Sequence, residues 1–267
     1  MRADVFLFTH GIARSRSHAC SLIKDGVFVS GKAVTKPSFF IPDDTPADEI
    51  KIKGTMPFVS RGGLKLEAAI EAFRIDPAGL CVLDIGASTG GFTDCLLRHG
   101  ASFVYALDVG HGQLDASLLS DPRVKSIEGC NARYMKPSLF ERLPDMAVTD
   151  VSFISQRLIY DALSAILSDG ALFVSLIKPQ FEAGRENIGK NGIVRDERIH
   201  EKVITEIRTC AAAYRLGMAD ILPSPIAGGD GNREYLALFV KGGEIAVSDE
   251  KISDAVKSAF AEPDRKG

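Results

Sequence analysis

The stretch that decides the fold is "GLCVLDIGASTGGFTD", Gly79–Asp94. An apolar run over 80–85 ends in Asp84 and Ile85. It then turns through Gly86, Gly90 and Gly91 into a predicted helix over 91–99. A strand that turns through glycines into a helix is the opening unit of an α/β sheet, and a ligand sits over such a turn. Outward from it, further strands are expected at 102–108, 124–128, 146–150, 171–177, 217–223 and 235–241. Helices are expected at 61–74, 113–120, 155–167 and 196–214. Near-continuous apolar strands such as "ALFVSLI" need cover on both faces. The alternation predicts a doubly wound parallel sheet, with ligands at the carboxyl ends of its strands.

Three ligands compete for the glycine turn. A dinucleotide wants G-x-G-x-x-G, and glycines at 86, 90 and 91 break that spacing. A nucleoside triphosphate wants G-x-x-x-x-G-K-[ST]; Phe92 stands where the lysine must be. S-adenosylmethionine has no phosphate and carries an amino group, a carboxylate and a sulfonium. Asp84 can pair with the amino group, and small residues let the backbone approach. Asp108, 24 residues on in "YALDVG", can grip the ribose hydroxyls. This ligand fits best.

The chain has 267 residues, room for one large domain or two unequal ones. Its net charge of −3 is unevenly placed: residues 1–67 hold ten Lys/Arg against seven Asp/Glu, the remainder 22 against 28. A basic start on an acidic body points to a polyanion contact at one end. The five cysteines form no C-x-x-C and no zinc spacing, and read as small buried hydrophobes in a reducing compartment. No apolar run reaches the length of a membrane span or signal peptide, so a cytoplasmic protein is expected.

Residues 1–53 read as a separate module: two short helices ending at Gly11 and Gly26, a hairpin turning at Ser30-Gly31, and a strand in "DEIKI". "KGTMPFVSRGG" reads as the linker and the tail "SDEKISDAVKSAFAEPDRKG" as a helix with a mobile end. The expected division is 1–56, 57–245 and 246–267.

Taken jointly, "LDIGASTGGFTD", "ALDVGHGQL", "NAR", "TDVSFIS", "IKPQFE" and "GNREY" resemble the TlyA proteins, also labelled hemolysins. These are similar to FtsJ-type ribose 2′-O-methyltransferases preceded by a small S-four-type RNA-binding domain. "SRSHACSLIKDGVFVSGKAVTKPS" resembles that domain's pattern, with Ser30 where Asn is usual. The linker "MPFV" does not match the family well. The resemblance implies a Rossmann-like class I methyltransferase sheet behind a small α+β RNA-binding domain. It implies methyl transfer from S-adenosylmethionine to a cytidine ribose in ribosomal RNA within a ribosomal subunit, without a metal.

The resemblance also implies a Lys-Asp-Lys-Glu catalytic set, which falls on Lys65, Asp150, Lys178 and Glu234. The residues support it independently: Asp150 and Lys178 each end an apolar strand, and Glu234 opens the last one. A 2′-hydroxyl must lose its proton in line with the sulfonium methyl. Lys178 is expected to be the base, because a lysine near a second cation and partly desolvated ionises less readily. Lys65 would orient ribose or phosphate, with Asp150 and Glu234 positioning the lysines. Cofactor contacts are expected from Asp84, Gly86, Ala87, Ser88, Thr89, Gly90, Gly91, Phe92, Asp108, Asn131 and Asp150. RNA phosphate contacts are expected from Arg14, Arg16, Lys24, Lys32 and Lys36. His111 reads as a loop histidine, with lining of the cofactor pocket as the alternative, and Phe39 and Phe40 read as packing residues. The segment with Arg185, Lys190 and Arg195 reads either as a flap over RNA or as a plain loop. Taken singly, each of the four catalytic candidates has an equally simple role as a strand end, a cap or an ion-pair partner. A cytolysin and a non-catalytic ribosome-assembly factor are the rival readings of the whole chain.

Overall fold

A computed structural model describes the chain except residues 14, 47–48, 53–56, 190–191, 229–230 and 262–267. Arg14 and Lys190 therefore lie outside the described residues, as does the expected mobile end. Two compact units result, Met1–Pro57 and Phe58–Gly267.

In the first unit, α1 spans Ala3–Thr9 and α2 spans Arg16–Gly26. The Ser15 hydroxyl starts α2 by accepting from the His18 N–H at 3.1 Å. Strands β1 (Val27–Val29) and β2 (Lys32–Val34) are joined by Ser30 at φ 49° and Gly31 at φ 77°. Two left-handed residues in a row match the right-handed twist of a tight hairpin. β3, Ile50–Ile52, pairs on the other side of β1, giving an antiparallel sheet in the order β2-β1-β3. Phe6, Leu7, Leu22, Ile23, Val27 and Ile41 form the core, and Phe39 packs against it. Phe40, expected to pack, is 71% exposed.

In the second unit, α3 (Gly62–Phe73) precedes β4 (Cys81–Ile85), α4 (Gly91–Arg98) and β5 (Phe103–Leu107). Then come α5 (Ala116–Leu119), β6 (Val124–Ile127) and β7 (Met146–Thr149). The helix expected over 155–167 is a 3-10 turn, Gln156–Ile159, running into α6, Tyr160–Ile166. β8 (Leu172–Ile177), α7 (Pro179–Glu182), α8 (Glu197–Ala213), β9 (Leu216–Pro223), β10 (Tyr235–Lys241) and α9 (Asp249–Ala261) complete it.

The seven strands run β6-β5-β4-β7-β8-β10-β9. The expected all-parallel sheet needs one correction: β10 is antiparallel to both β8 and β9. A parallel return needs a crossover, usually a helix, and among the described residues 224–234 hold none. The chain folds back instead and enters the gap beside β8. Side chains alternate across the sheet. Leu83 and Ile85 join Leu163, Ile204, Ile207 and Ala255 on one face; Val82, Val104 and Val148 join Leu66, Ile70 and Leu96 on the other. α9 thus contributes to the same core as the sheet.

The linker reading fails for 58–63. Phe58 is buried, and the Val59 N–H donates to Asp94 Oδ2 at 2.8 Å, fastening the segment to α4. A Cβ on Gly63 would lie 2.3 Å from the Phe58 ring. Gly63→Ala is expected to destabilise the protein by about 1–3 kcal/mol through overpacking. Urea unfolding followed by circular dichroism measures it; an unchanged midpoint contradicts this packing.

Candidate active site

The turn after β4 takes three left-handed residues, Gly86 (φ 82°), Ser88 (φ 48°) and Gly90 (φ 94°). A Cβ on Gly86 would lie 2.9 Å from the Asp150 carbonyl oxygen, so only glycine lets the ends of β4 and β7 come this close. The Ser88 N–H donates to Asp108 Oδ2 at 2.8 Å and the Gly110 N–H to Oδ1 at 2.7 Å. Asp108 therefore ties two loops together and keeps further lone pairs for a ligand. α4 begins at Gly91 with no side-chain cap, leaving N–H groups of its first turn for a ligand.

Asp84 is fully buried beneath this turn. Its Oδ2 accepts from the Thr93 hydroxyl at 2.7 Å, while Oδ1 has no partner. Burial pushes the carboxyl up to about 7; the Thr93 bond opposes the rise and the nearby Asp150 charge adds to it. A buried acceptor that ionises at such cost is an energetic deficit that a cation relieves.

A cavity of about 280 Å³ opens over the turn, walled by Gly86–Thr89, Gly91 and Phe92 on one side. Lys65, Asp150, Ser152 and Lys178 face it, with Ser60–Gly62 and Ala227 completing the rim. Lys65 Nζ donates to Glu234 Oε2 at 2.5 Å, both groups buried, across 169 residues of sequence. Gly228 folds over that carboxylate: a Cβ there would lie 2.6 Å from Glu234 Oε1. Lys178 Nζ lies 2.5 Å from Asp150 Oδ1 and donates to the Ser152 hydroxyl at 2.8 Å. The four residues named from sequence thus form two lysine–carboxylate pairs on one cavity. Both lysines are already committed to carboxylates, which disfavours a polyphosphate. The uncapped helix start, the small residues and the carboxylates fit a zwitterionic adenosyl cofactor.

Other expected residues lie elsewhere. Asn131 is exposed and accepts from the Arg133 N–H at 3.1 Å, capping a 3-10 turn off the cavity wall. His111 is also exposed and packs over Gly129. Residues 192–194 are fastened: Asn232 accepts from the Val194 N–H at 3.3 Å and donates to the Gly192 carbonyl at 3.0 Å. Buried His200 meets the Val194 carbonyl at 3.0 Å. In the first unit Lys24, Lys32 and Lys36 are exposed. Arg16 donates to Asp4 Oδ2 at 2.7 Å, and Arg2, not expected from sequence, to Oδ1 at 2.9 Å. These bonds hold the buried Asp4 carboxyl down at about 2. Sequence reading also missed Ser60, Arg61 and Ser152. "SRGG" beside Lys65 was the available signal for the first two.

The profile of the FtsJ-like methyltransferases matches residues 58–241. The chain belongs to the FtsJ-like methyltransferase family. It is 39% identical, over 98% of its length and 97% of the relative's, to the 16S/23S rRNA (cytidine-2′-O)-methyltransferase TlyA of Mycobacterium tuberculosis. It is 44% identical to Hemolysin A of Brachyspira hyodysenteriae, covering 90% of this chain and all of that one. A solved hemolysin-named structure from Streptococcus thermophilus superposes with a TM-score of 0.78 at 44% identity, over 97% of this chain and 95% of that one. The resemblance to TlyA and the Rossmann-like methyltransferase fold, with S-adenosylmethionine as its cofactor, are borne out.

Asp84 makes the FtsJ-like chain's stability depend on pH. Its carboxyl titrates near 7 folded and near 4 unfolded, so the unfolded chain holds fewer protons in between. Stability without cofactor should fall by up to a few kcal/mol from pH 4 to 7 and level off above, as far as this group contributes. Asp84→Asn keeps an acceptor for Thr93 and removes that fall. The variant should therefore melt above wild type at pH 8 and converge with it near pH 4 in scanning calorimetry. Parallel pH curves for the two would contradict the assignment.

Proposed function

We propose that the protein transfers a methyl group from S-adenosylmethionine to the 2′-hydroxyl of a cytidine in ribosomal RNA presented by a ribosomal subunit. The observation that carries this is the pair of lysine–carboxylate bridges facing one cavity beside the glycine turn of a methyltransferase sheet. A relative whose name specifies cytidine 2′-O-methylation of rRNA matches over nearly the whole chain, including the first unit.

Asp84, the segment Gly86–Phe92, Asp108 and Asp150 hold the cofactor in this reading, with Asn131 at the adenine end. When bound, the cofactor supplies an electrophilic methyl group on a sulfonium. The chain's own residues do the rest. Lys178, facing the cavity from the end of β8, enters the step as the neutral amine after releasing a proton to solvent; it then takes the 2′-hydroxyl proton, and Asp150 holds the ammonium so formed. Ser152 holds the Lys178 amine in direction by accepting its second N–H. Lys65, braced by Glu234, orients the ribose and its phosphate. The fixed charges act without reorganising, which is where such sites gain most of their rate.

The first unit serves as the RNA-binding domain, with exposed Arg16, Lys24, Lys32 and Lys36 spread over a small α+β module. Contacts to phosphate add affinity without reading sequence. The hemolysin names belong to relatives; among the described residues no helix is long and apolar enough to cross a membrane.

Labelled methyl transfer to purified ribosomal subunits, with alkaline-resistance mapping of the product, tests the reading. A methylated cytidine ribose is the expected product; transfer to a base, or none with cofactor bound, overturns it. Lys178→Ala should lower kcat by at least about 100-fold, as loss of a general base does, with cofactor affinity by calorimetry near wild type. Full activity in that variant removes Lys178 from the base role.

A further inference from the structure

The loop that follows β7 is strained and largely unsupported by secondary structure. Phe153 has φ 64°, a left-handed conformation that a bulky side chain pays for, and it is 88% exposed. Asp150 and Ser152, both on Lys178, precede it in this loop. Strain of this kind persists only where neighbours over-determine the backbone.

Three attachments to the β8 side supply that. Buried Ser175, in β8, donates to the Gln156 side chain, itself buried. Lys178 holds Asp150 and Ser152. The third is Glu182, at the end of the short α7 that starts directly after Lys178. Glu182 is 7% exposed. Its Oε2 accepts from the Ser155 hydroxyl at 2.6 Å and from Arg157 Nε at 3.2 Å. Its Oε1 accepts from the Gln156 N–H at 2.7 Å. Arg157 returns a bond to the Glu182 carbonyl at 3.2 Å. One carboxylate thus gathers three consecutive residues of the loop. The Phe153 and Phe181 rings are 5.0 Å apart, and Lys178 Nζ lies 5.9 Å from the centre of the Phe181 ring.

We propose that Glu182 is a positioning residue of the transfer reaction, whose carboxylate clips residues 155–157 to α7 and so keeps Asp150 and Ser152 on Lys178. The proposal rests on the methyl-transfer reading given above. Glu182 touches no reacting atom. It acts by fixing where the acceptors of the Lys178 amine stand. Burying a carboxylate raises the cost of its charge, as it does here against the bonds from Ser155, Gln156 and Arg157. A residue needed only to fill the space would be better apolar.

The test compares wild type with Glu182→Gln, Glu182→Ala and a control, Glu206→Gln. Glu206 is the outer partner of Arg157, at 3.1 Å, and faces solvent. Methyl transfer to purified ribosomal subunits is measured as kcat, KM and pH profile, with S-adenosylmethionine affinity by calorimetry. Hydrogen exchange of 151–157 is followed without cofactor. Glu182→Gln should lower kcat about 10- to 100-fold, the scale of a misplacement of about 1 Å. Its cofactor affinity should stay within about twofold, and the pH profile of kcat should move, because the amine's partners have shifted. Exchange at 151–157 should quicken, and Glu206→Gln should match wild type throughout. Glu182→Ala should lose more, and Glu182→Gln alone decides the matter if the alanine variant does not fold. Equal kcat and pH profile in wild type and Glu182→Gln overturn the clip. So does a loss of activity that only follows the unfolded fraction. An inactive wild type overturns the methyl-transfer reading instead, and exchange at 151–157 then still reports whether the clip exists.

Discussion

The site depends on one close approach, that of the Gly86 backbone to the carbonyl of Asp150. A single methyl group at position 86 would separate the ends of β4 and β7. The glycine turn and the Asp150 loop would then no longer share a cavity. That approach is secured from below: β4 and β7 pair from Val82–Met146 to Ile85–Thr149, and the Thr149 hydroxyl donates to the Ile85 carbonyl at 3.1 Å. The glycine turn and the Asp150 carboxylate are therefore set by the register of one parallel strand pair. Loop flexibility has no part in their spacing.

The two lysine–carboxylate pairs differ in what they fix. Lys178 and Asp150 end neighbouring strands, so their pair is local to the sheet rim. Lys65 and Glu234 come from α3 and the entry to β10, and their pair ties the helix that precedes the sheet to the last strand to enter it. Buried ion pairs are weak contributors to stability, since desolvation offsets most of the attraction. Their value here is geometric: each bridge restricts the directions in which its lysine can meet a substrate. The Asp84 carboxylate illustrates the opposite case, a buried group left half-satisfied, with Oδ2 on Thr93 and no partner for Oδ1.

Much of this was legible in the sequence. Strand positions followed from apolar runs, because a sheet covered on both faces leaves little choice of residue. Of the four proposed catalytic positions, Asp150 and Lys178 stood out because they end apolar strands and Glu234 because it opens one, while Lys65, on α3, followed from the family resemblance. The direction of β10 was not legible, since an apolar strand reads alike in both senses and only the connection 224–234, with no helix among its described residues, reveals it. Ser60 and Arg61 were hidden in what reads as a linker. Their place on the rim depends on Phe58 seating on Gly63, a contact of shape that composition does not show. Asn131 does not line the cavity itself; its loop lies beside Asp108 through the bond of the Cys130 N–H to the Asp108 carbonyl at 3.0 Å, a pairing of loops that spacing does not show. The Glu182 clip was hidden in "IKPQFE" because its partners are backbone and hydroxyl groups some 25 residues earlier.

The antiparallel β10 also sets the order in which the site can come into being. Glu234 is delivered by the last strand of the sheet, and that strand lies between β8 and β9. During synthesis, β4 to β8 can form a parallel sheet with the glycine turn and the Lys178–Asp150 pair in place. Lys65 meanwhile waits without its carboxylate. β8 stays an open edge until the hairpin of β9 and β10 has emerged and docked, and an open apolar edge invites wrong partners. The same docking event that covers the edge also brings Glu234 to Lys65. The Lys65–Glu234 pair is thus missing for as long as the chain is prone to mispair, and both conditions end in one step.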